Sequence, residues 1–122
     1  MTVRKAIDTA DRRLSGNGYT KAEKLEWLKS FEAMWGEFLL TLGHKAEAVE
    51  LEDDDAELNM KAPYDEIYVM WLIMKMHYYN GEIDLYNKSA EAFNNLLHEA
   101  KKSFTRQNKS KNQYSFHGHR EV

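Results

Sequence analysis

Apolar residues recur along the first part of this chain at steps of three and four, which is the spacing of one face of an α-helix. The pattern predicts a short amphipathic helix from Thr2 to Leu14. Two glycines and an asparagine in residues 15–18 favour a turn and end it. The apolar positions that define this helix are Val3, Ile7, Ala10 and Leu14.

A second, longer helix is predicted to begin after Thr20. Thr20 and Glu23 have the T-x-x-E spacing of a capping box, in which each side chain accepts a hydrogen bond from the backbone of the other residue. The apolar pattern then continues for about six turns and stops at Gly43, a residue suited to the left-handed conformation that ends many helices. Its apolar positions are Leu25, Leu28, Phe31, Trp35, Phe38, Leu39 and Leu42, and the face is widened by Trp27 and Met34.

Residues 43–62 have no helical periodicity. The acidic run at 52–55 is too polar to pack in a core, so we predict a surface loop there. A loop of this length in a small domain often carries an interaction.

A third helix is predicted from Pro63 to about Asn80. Proline is favoured in a first helical turn, and the acids that follow it suit the positive end of the helix dipole. Apolar residues cover most of the circumference of this helix, which is typical of a helix at the centre of a bundle or in a subunit interface.

A fourth helix is predicted from about Glu82 to about Asn108, after the break at Gly81. Residues 109–122 are polar and basic, and we predict a flexible tail there. The expected fold is therefore all-α, with one domain over residues 1–108: a small bundle of about four helices with a long acidic loop and a basic C-terminal tail. The predicted buried face of the last helix contains Ile83, Tyr86, Ala90, Phe93, Leu97, Ala100 and Phe104.

The net charge of −3 conceals two patches of opposite sign. Residues 50–57 contain six acids and no base, and residues 101–120 contain six bases and no acid. Such patches suit contacts between neighbouring subunits of an assembly. A solvated acidic loop beside a flexible basic tail explains the same pattern equally well.

The sequence does not favour catalysis. Without cysteine there is neither a disulfide nor a thiolate metal site, and no phosphate-binding glycine loop or G-x-S-x-G motif occurs. His117 and His119 are too few ligands for a structural zinc site, and the contiguous acids Asp53, Asp54 and Asp55 lack the alternation of a calcium loop. We therefore expect no enzyme activity, no cofactor and no metal. We also expect no secretory signal and no membrane span, in keeping with synthesis in the cytoplasm.

Tyrosine is unusually dense in the second half of the chain. Tyrosine is favoured at protein interfaces, where one end of the side chain is dry and the other wet. An ordinary core with hydroxyl groups at its edge is the alternative. The residues concerned are Tyr64, Tyr68, Tyr78, Tyr79 and Tyr86.

Three short stretches resemble the small head–tail connector, or adaptor, proteins of long-tailed bacteriophages from Gram-positive hosts. They are APYDEIY at residues 62–68, YNGEIDLYN at 79–87 and AFN at 92–94. TVRKAID at 2–8 and KLEWL at 24–28 are similar too, so the resemblance covers roughly residues 2–106. These are packing and corner motifs, and none of them is a catalytic signature.

The resemblance implies a structural role in the virion. Such adaptors form a ring of about twelve subunits between the portal and the stopper or tail-completion protein, at the neck of the particle, and the ring encloses the DNA channel. It also implies that the chain from about Phe104 onward docks on the portal and becomes ordered on assembly. The basic charge of the tail, apart from the resemblance, allows contact with DNA in the channel that does not read sequence. The charge pattern, the tyrosines and the resemblance together nominate as subunit or portal contacts Asp53, Asp54, Asp55, Tyr64, Tyr68, Tyr79, Tyr86, Phe104, Arg106, Lys109, Lys111, Tyr114 and Phe116.

The alternative from another functional class is a small helical regulator, of phage or bacterial origin, that binds DNA or another protein. Only the size of the chain, its helicity and its basic tail favour this alternative. Salt-sensitive binding to duplex DNA would distinguish it from a connector.

Overall fold

The computed structural model describes the backbone of residues 1–117 and the side chains of residues 1–108. It contains four helices: α1 (Val3–Arg13), α2 (Lys21–Thr41), α3 (Ile67–Tyr79) and α4 (Ile83–His117). Apart from one isolated bridge between Thr2 and Glu57, the described residues form no β-structure. The prediction of a small all-α bundle is confirmed.

The boundaries of α1 and α2 follow from their caps. The Thr2 side chain accepts a hydrogen bond from the N–H of Lys5 and begins α1. The predicted capping box is present at the start of α2, with both the Thr20 and the Glu23 bonds formed. After α2 the chain turns through Gly43, whose φ of +79° few other residues adopt easily.

The third helix begins later than the sequence predicts. Pro63 does not occupy its first turn, because residues 63–66 form turns before Ile67. The Ala62–Pro63 peptide bond is cis. Hydrogen bonds from the N–H of Ile67 to the carbonyl of Tyr64, and from Tyr68 to Asp65, lead the chain into α3.

The fourth helix continues beyond its predicted end at Asn108, to His117. No proline or glycine occurs within residues 83–117, so nothing in this stretch breaks the backbone hydrogen-bond pattern. Residues 118–122 lie outside the described part of the chain. Residues 109–117 of the predicted tail are helical in the described backbone. The flexibility of the tail over 109–122 and the domain boundary at 108 stay predictions.

The third helix is the centre of the bundle, because it packs against each of the other three. This explains why its apolar residues extend around most of its circumference. Five of its side chains are completely buried: Ile67, Tyr68, Val69, Leu72 and Met76. The core around them is completed from α2 by Leu28, Phe31 and Trp35, from α4 by Phe93 and Ala100, and from α1 by Val3, Ala6 and Ala10.

The acidic loop is held against the start of α1. The N–H groups of Val3 and Arg4 donate to the carbonyls of Ala56 and Asp54 at 3.0 and 2.9 Å, which provides acceptors for two donors in the first turn of the helix. Asp54 also pairs with Lys21 at 2.6 Å, and Asp55 pairs with Arg4 at 2.8 Å. The predicted surface loop is thus fixed to α1 and α2 by backbone bonds and ion pairs.

Candidate interaction surface

One of the five nominated tyrosines, Tyr68, has surroundings different from those an interface requires. Tyr68 is completely buried in the core, and its hydroxyl donates to Glu32 at 2.6 Å. Burial and the neighbouring carboxylate raise the pKa of Tyr68, so the hydroxyl stays protonated. The prediction that Tyr68 is a subunit contact is therefore wrong, because no part of its side chain reaches the surface. Tyr64 is half-buried beside a groove described below.

Tyr79 and Tyr86 belong to a continuous row of five aromatic rings across one end of the bundle. Trp27 contacts Tyr19 edge to face at 5.2 Å between ring centroids and stacks on Tyr79 at 5.6 Å. Tyr79 contacts Tyr78 at 5.1 Å, and Tyr78 contacts Tyr86 at 5.5 Å. We call this row, Tyr19, Trp27, Tyr79, Tyr78 and Tyr86, the aromatic ladder.

The middle of the aromatic ladder is open to solvent. Tyr78 and Tyr79 expose 58% and 57% of their surface. Beside them Ile83 and Leu85 expose 70% and 46%, although the helical pattern predicted Ile83 on the buried face of α4. Ile83 is the first residue of α4, at the end of the bundle, where the described elements leave it uncovered. Grouped apolar residues of this size on a surface mark a site of interaction.

The corner between α3 and α4 fixes the geometry of the ladder. Gly81 has a φ of +74°, which lets the chain reverse within three residues. His77, almost fully buried, donates from Nδ1 to Glu82 at 2.8 Å, and this bond lowers the pKa of Glu82. The Tyr19 hydroxyl donates to Asn80 Oδ1 at 2.6 Å, which ties the turn before α2 to the same corner.

Two hollows flank the exposed rings, and each contains a carboxylate. One, of about 350 Å³, is lined by Tyr19, Glu23, Trp27 and Tyr79. The hydrogen bonds that Glu23 accepts in the capping box lower its pKa, so this carboxylate is ionised at neutral pH. The other hollow, of about 260 Å³, lies on the far side of Tyr78 and is lined by His77, Tyr78, Gly81, Glu82, Ile83, Tyr86 and Asn87.

Phe104 and Tyr64 line a separate groove of about 340 Å³ between α2, α4 and the segment around Pro63. Phe104 is half-buried there and packs edge to face on Trp35 at 6.1 Å and on His44 at 5.3 Å. Its role within the subunit is thus to hold α4 on α2.

Of the nominated charged residues, Asp54 and Asp55 pair with bases of α1 and α2 in the same subunit, and Asp53 accepts a hydrogen bond from the N–H of Asp55. Arg106 is exposed on α4. Lys109, Lys111, Tyr114 and Phe116 lie on the helical backbone of α4, and their side chains lie outside the described residues.

Comparison with protein-family models, with curated proteins and with solved structures found no match to this chain.

Helical periodicity does not identify the first two rings of the ladder as part of a site. Tyr19 lies in a turn with no periodicity, and the helical pattern places Trp27 only at the edge of the apolar face of α2. The available signal was the spacing of Tyr19, Glu23 and Trp27, since steps of four at a helix start place side chains on one side. Among residues 1–108, no three metal-ligating side chains lie together, and no described helix is long and apolar enough to cross a membrane.

Proposed function

We propose that this chain is a structural protein of a tailed-phage virion, a subunit of the ring that joins the portal of the capsid to the tail and lines the DNA channel. The observation that supports the proposal is the position of the connector-like stretch YNGEIDLYN in the fold. This stretch forms the exposed corner between α3 and α4, where Tyr79 and Ile83 are mostly open to solvent.

An exposed aromatic corner supports an assembling protein. Isolated apolar side chains on a surface are normal, but a contiguous group rich in tyrosine is typical of the buried centre of an interface. The exposed side chains of this corner keep apolar surface in contact with water in the free subunit. A partner that covers Tyr78, Tyr79, Ile83 and Leu85 would remove that surface from water.

In the proposed setting the partners are other copies of the chain, in a ring of about twelve as the resemblance implies, the portal protein on one side and the stopper or tail-completion protein on the other. DNA passes through the channel, where exposed bases such as Arg106 touch phosphates without reading sequence. The site of action is the virion neck, and no cofactor takes part.

The test is electron cryo-microscopy of virions of the phage that encodes this chain, with a map of the neck. We expect this four-helix subunit as a closed ring directly beneath the portal. A complete neck map in which every density is explained by other chains would overturn the proposal.

The alternative is a small helical regulator that binds DNA. The specific observation in its favour is the basic second half of α4, where Lys101, Lys102, Arg106, Lys109 and Lys111 occur without an acid over residues 101–117. A regulator would bind duplex DNA with an affinity that falls steeply with salt. Fluorescence anisotropy with a labelled duplex, at low and at physiological salt, separates this function from the connector.

A further inference from the structure

The aromatic ladder combines ring faces with carboxylates. Glu23 lies in the hollow beside Trp27, and Glu82 lies in the hollow beside Tyr78. The exposed Asp84 follows on the first turn of α4. This surface therefore offers a partner both π-faces and negative charge.

A cationic side chain fits that combination better than other ligands. Ammonium and guanidinium groups are attracted to the faces of tryptophan and tyrosine, and they form hydrogen-bonded ion pairs with carboxylates. The chain itself contains an example, because Lys75 Nζ lies 4.6 Å from the ring centre of Trp71. Nucleic acid does not fit the ladder, because Glu23, Glu82 and Asp84 repel phosphates.

The same chain carries a matching basic surface at the other end of α4. Lys102, Arg106 and Lys109 follow one another at steps of four and three, so they lie on one face of the helix. Lys102 and Arg106 are exposed. Lys102 lies 3.6 Å from Glu99 of its own helix, in an exposed pair that contributes little and that a partner's carboxylate can replace. No acid occurs in residues 101–117, so no carboxylate of that stretch opposes binding to a negative surface.

A subunit cannot bring its own basic face to its own ladder. Tyr86 and Arg106 belong to the same continuous helix, Ile83–His117. With a rise of 1.5 Å per residue they are about 30 Å apart along its axis. The two surfaces can therefore meet only between different copies.

We infer that the aromatic ladder is the docking site for the basic face of α4, Lys102, Arg106 and Lys109, from a second copy of this chain. This deepens the proposed function, on which it rests for its setting in a ring. It also replaces the acidic loop as the acceptor of a neighbour's basic residues. Asp54 and Asp55 of that loop already bind Lys21 and Arg4 of their own subunit.

Such a contact is heterologous, because the two copies use different surfaces: one contributes the aromatic ladder at the start of α4, and the other contributes the basic face in the second half of α4. Repetition of a heterologous contact gives a closed ring or an open filament, whereas an isologous contact stops at a dimer. The inference thus predicts multimers larger than a dimer whenever the free protein associates.

Cysteine cross-linking tests this directly, since the chain has no cysteine of its own. Asn87→Cys places a thiol beside the ladder, and Thr105→Cys places one beside the basic face, three residues after Lys102 and four before Lys109. In the full-length double variant these thiols are about 27 Å apart along α4, too far for an internal disulfide. Mild oxidation at millimolar protein should give a series of cross-linked multimers from the double variant. A 1:1 mixture of the two single variants should give heterodimers and nothing larger.

Three results would overturn the inference: no cross-linked species from the double variant, homodimers from Asn87→Cys alone, or multimers that persist when the basic face is reversed in charge. For the last arm, Arg106→Glu with Lys109→Glu in the double-cysteine background should lower the multimer yield about tenfold, as the loss of two cation–π or ion-pair contacts implies. Lys29→Glu with Lys45→Glu is the matched control, because these exposed lysines lie elsewhere and give the same change in net charge.

This result is separable from the proposed function. A neck map with the chain in a ring held by other surfaces would reject the ladder contact and leave the connector standing. Multimers cross-linked through the ladder, from a chain missing from the neck, would reject the connector and leave the contact.

Discussion

The hydroxyl of Tyr68 donates a hydrogen bond to Glu32 at 2.6 Å and accepts one from the backbone N–H of Met60 at 2.8 Å. Glu32 accepts two more, from the backbone and the side-chain amide of Asn59, both at 2.9 Å. One buried tyrosine thus joins α3, α2 and the segment that follows the acidic loop. This network fixes the irregular part of the chain to the helical core.

Tyr68→Phe should lower the free energy of unfolding by about 1–3 kcal/mol, because it leaves the buried N–H of Met60 without its acceptor. Urea unfolding measures the loss. Tyr78→Phe is the matched control, since it removes a hydroxyl from a tyrosine that is 58% exposed and should change stability little. Equal effects at the two positions would show that Tyr68 does not organise the core.

The helices of this fold are predictable from sequence because their signals are local. The capping box of Thr20 and Glu23 and the αL turn at Gly43 need only neighbouring residues, and both are present. The start of α3 at Ile67 is not predictable from local sequence, for a different reason. A proline in the first turn of a helix and a proline in the turn before it give the same local pattern, and packing decides between them.

The candidate surface was only partly predictable, because its members are far apart in sequence. Tyr19 meets Asn80 across 61 residues, and periodicity carries no information on such a contact. The same limit applies to Tyr68, whose partner Glu32 is 36 residues away, and its burial could not be read from a tyrosine-rich stretch. Tyr79 is nominated by the density of tyrosines and by the connector-like motif, and its role as a contact stays a prediction.

The second prediction concerns Lys24, which is almost fully buried and pairs with Asp11 at 2.7 Å. Asp11→Ala should destabilise the protein by about 1–3 kcal/mol, less than a fully buried pair because Asp11 is 40% exposed. Lys24→Met should cost less, because it removes the buried charge and leaves Asp11 at the surface. Thermal unfolding of the two variants compares their stabilities. A lower melting temperature for Lys24→Met than for Asp11→Ala would contradict this explanation of the ion pair.

The third prediction is a pH dependence at the acidic loop. The hydrogen bond from Lys21 lowers the pKa of Asp54 below its ordinary value of 3.8. A carboxylate with a depressed pKa in the folded state stabilises the protein above the pKa of the unfolded state, and that contribution is lost as the pH falls through the folded value. Asp54→Asn should therefore be less stable than the wild type at neutral pH, with a difference that disappears in strong acid.

Melting temperatures of the wild type and of Asp54→Asn, measured from neutral pH into strong acid, show the pH range over which the stabilisation by Asp54 is lost. Glu52→Gln removes an exposed acid of the same loop and serves as the control. A difference between Asp54→Asn and the wild type that is constant down to the lowest pH would assign the effect to something other than the ion pair.

The fourth prediction separates two residues that the helical pattern placed on one face of α4. Ile83→Ser should change the free energy of unfolding by less than about 0.5 kcal/mol in dilute solution, because Ile83 is 70% exposed. Phe93→Ala should cost about 3–5 kcal/mol, because Phe93 is 4% exposed and packs between Phe31 and Trp71. Denaturant unfolding at low protein concentration compares the two, and a loss above about 2 kcal/mol for Ile83→Ser would show that this corner is covered within the subunit.

The last prediction concerns the effect of the exposed ladder tyrosines on the joining of heads to tails. Tyr78→Ser with Tyr79→Ser removes the two exposed rings, so a connector that depends on this surface should fail to join heads to tails. A phage carrying the double variant should accumulate DNA-filled heads and free tails, counted by electron microscopy of lysates, with a large fall in infectious titre. Lys5→Ser with Lys29→Ser, two exposed substitutions on α1 and α2, should leave the titre near that of the wild type. Circular dichroism of both purified variants must show the same helical content, so that a defect reflects the surface and not the fold. Normal titres from a folded Tyr78→Ser/Tyr79→Ser variant would remove the aromatic corner from the account of assembly.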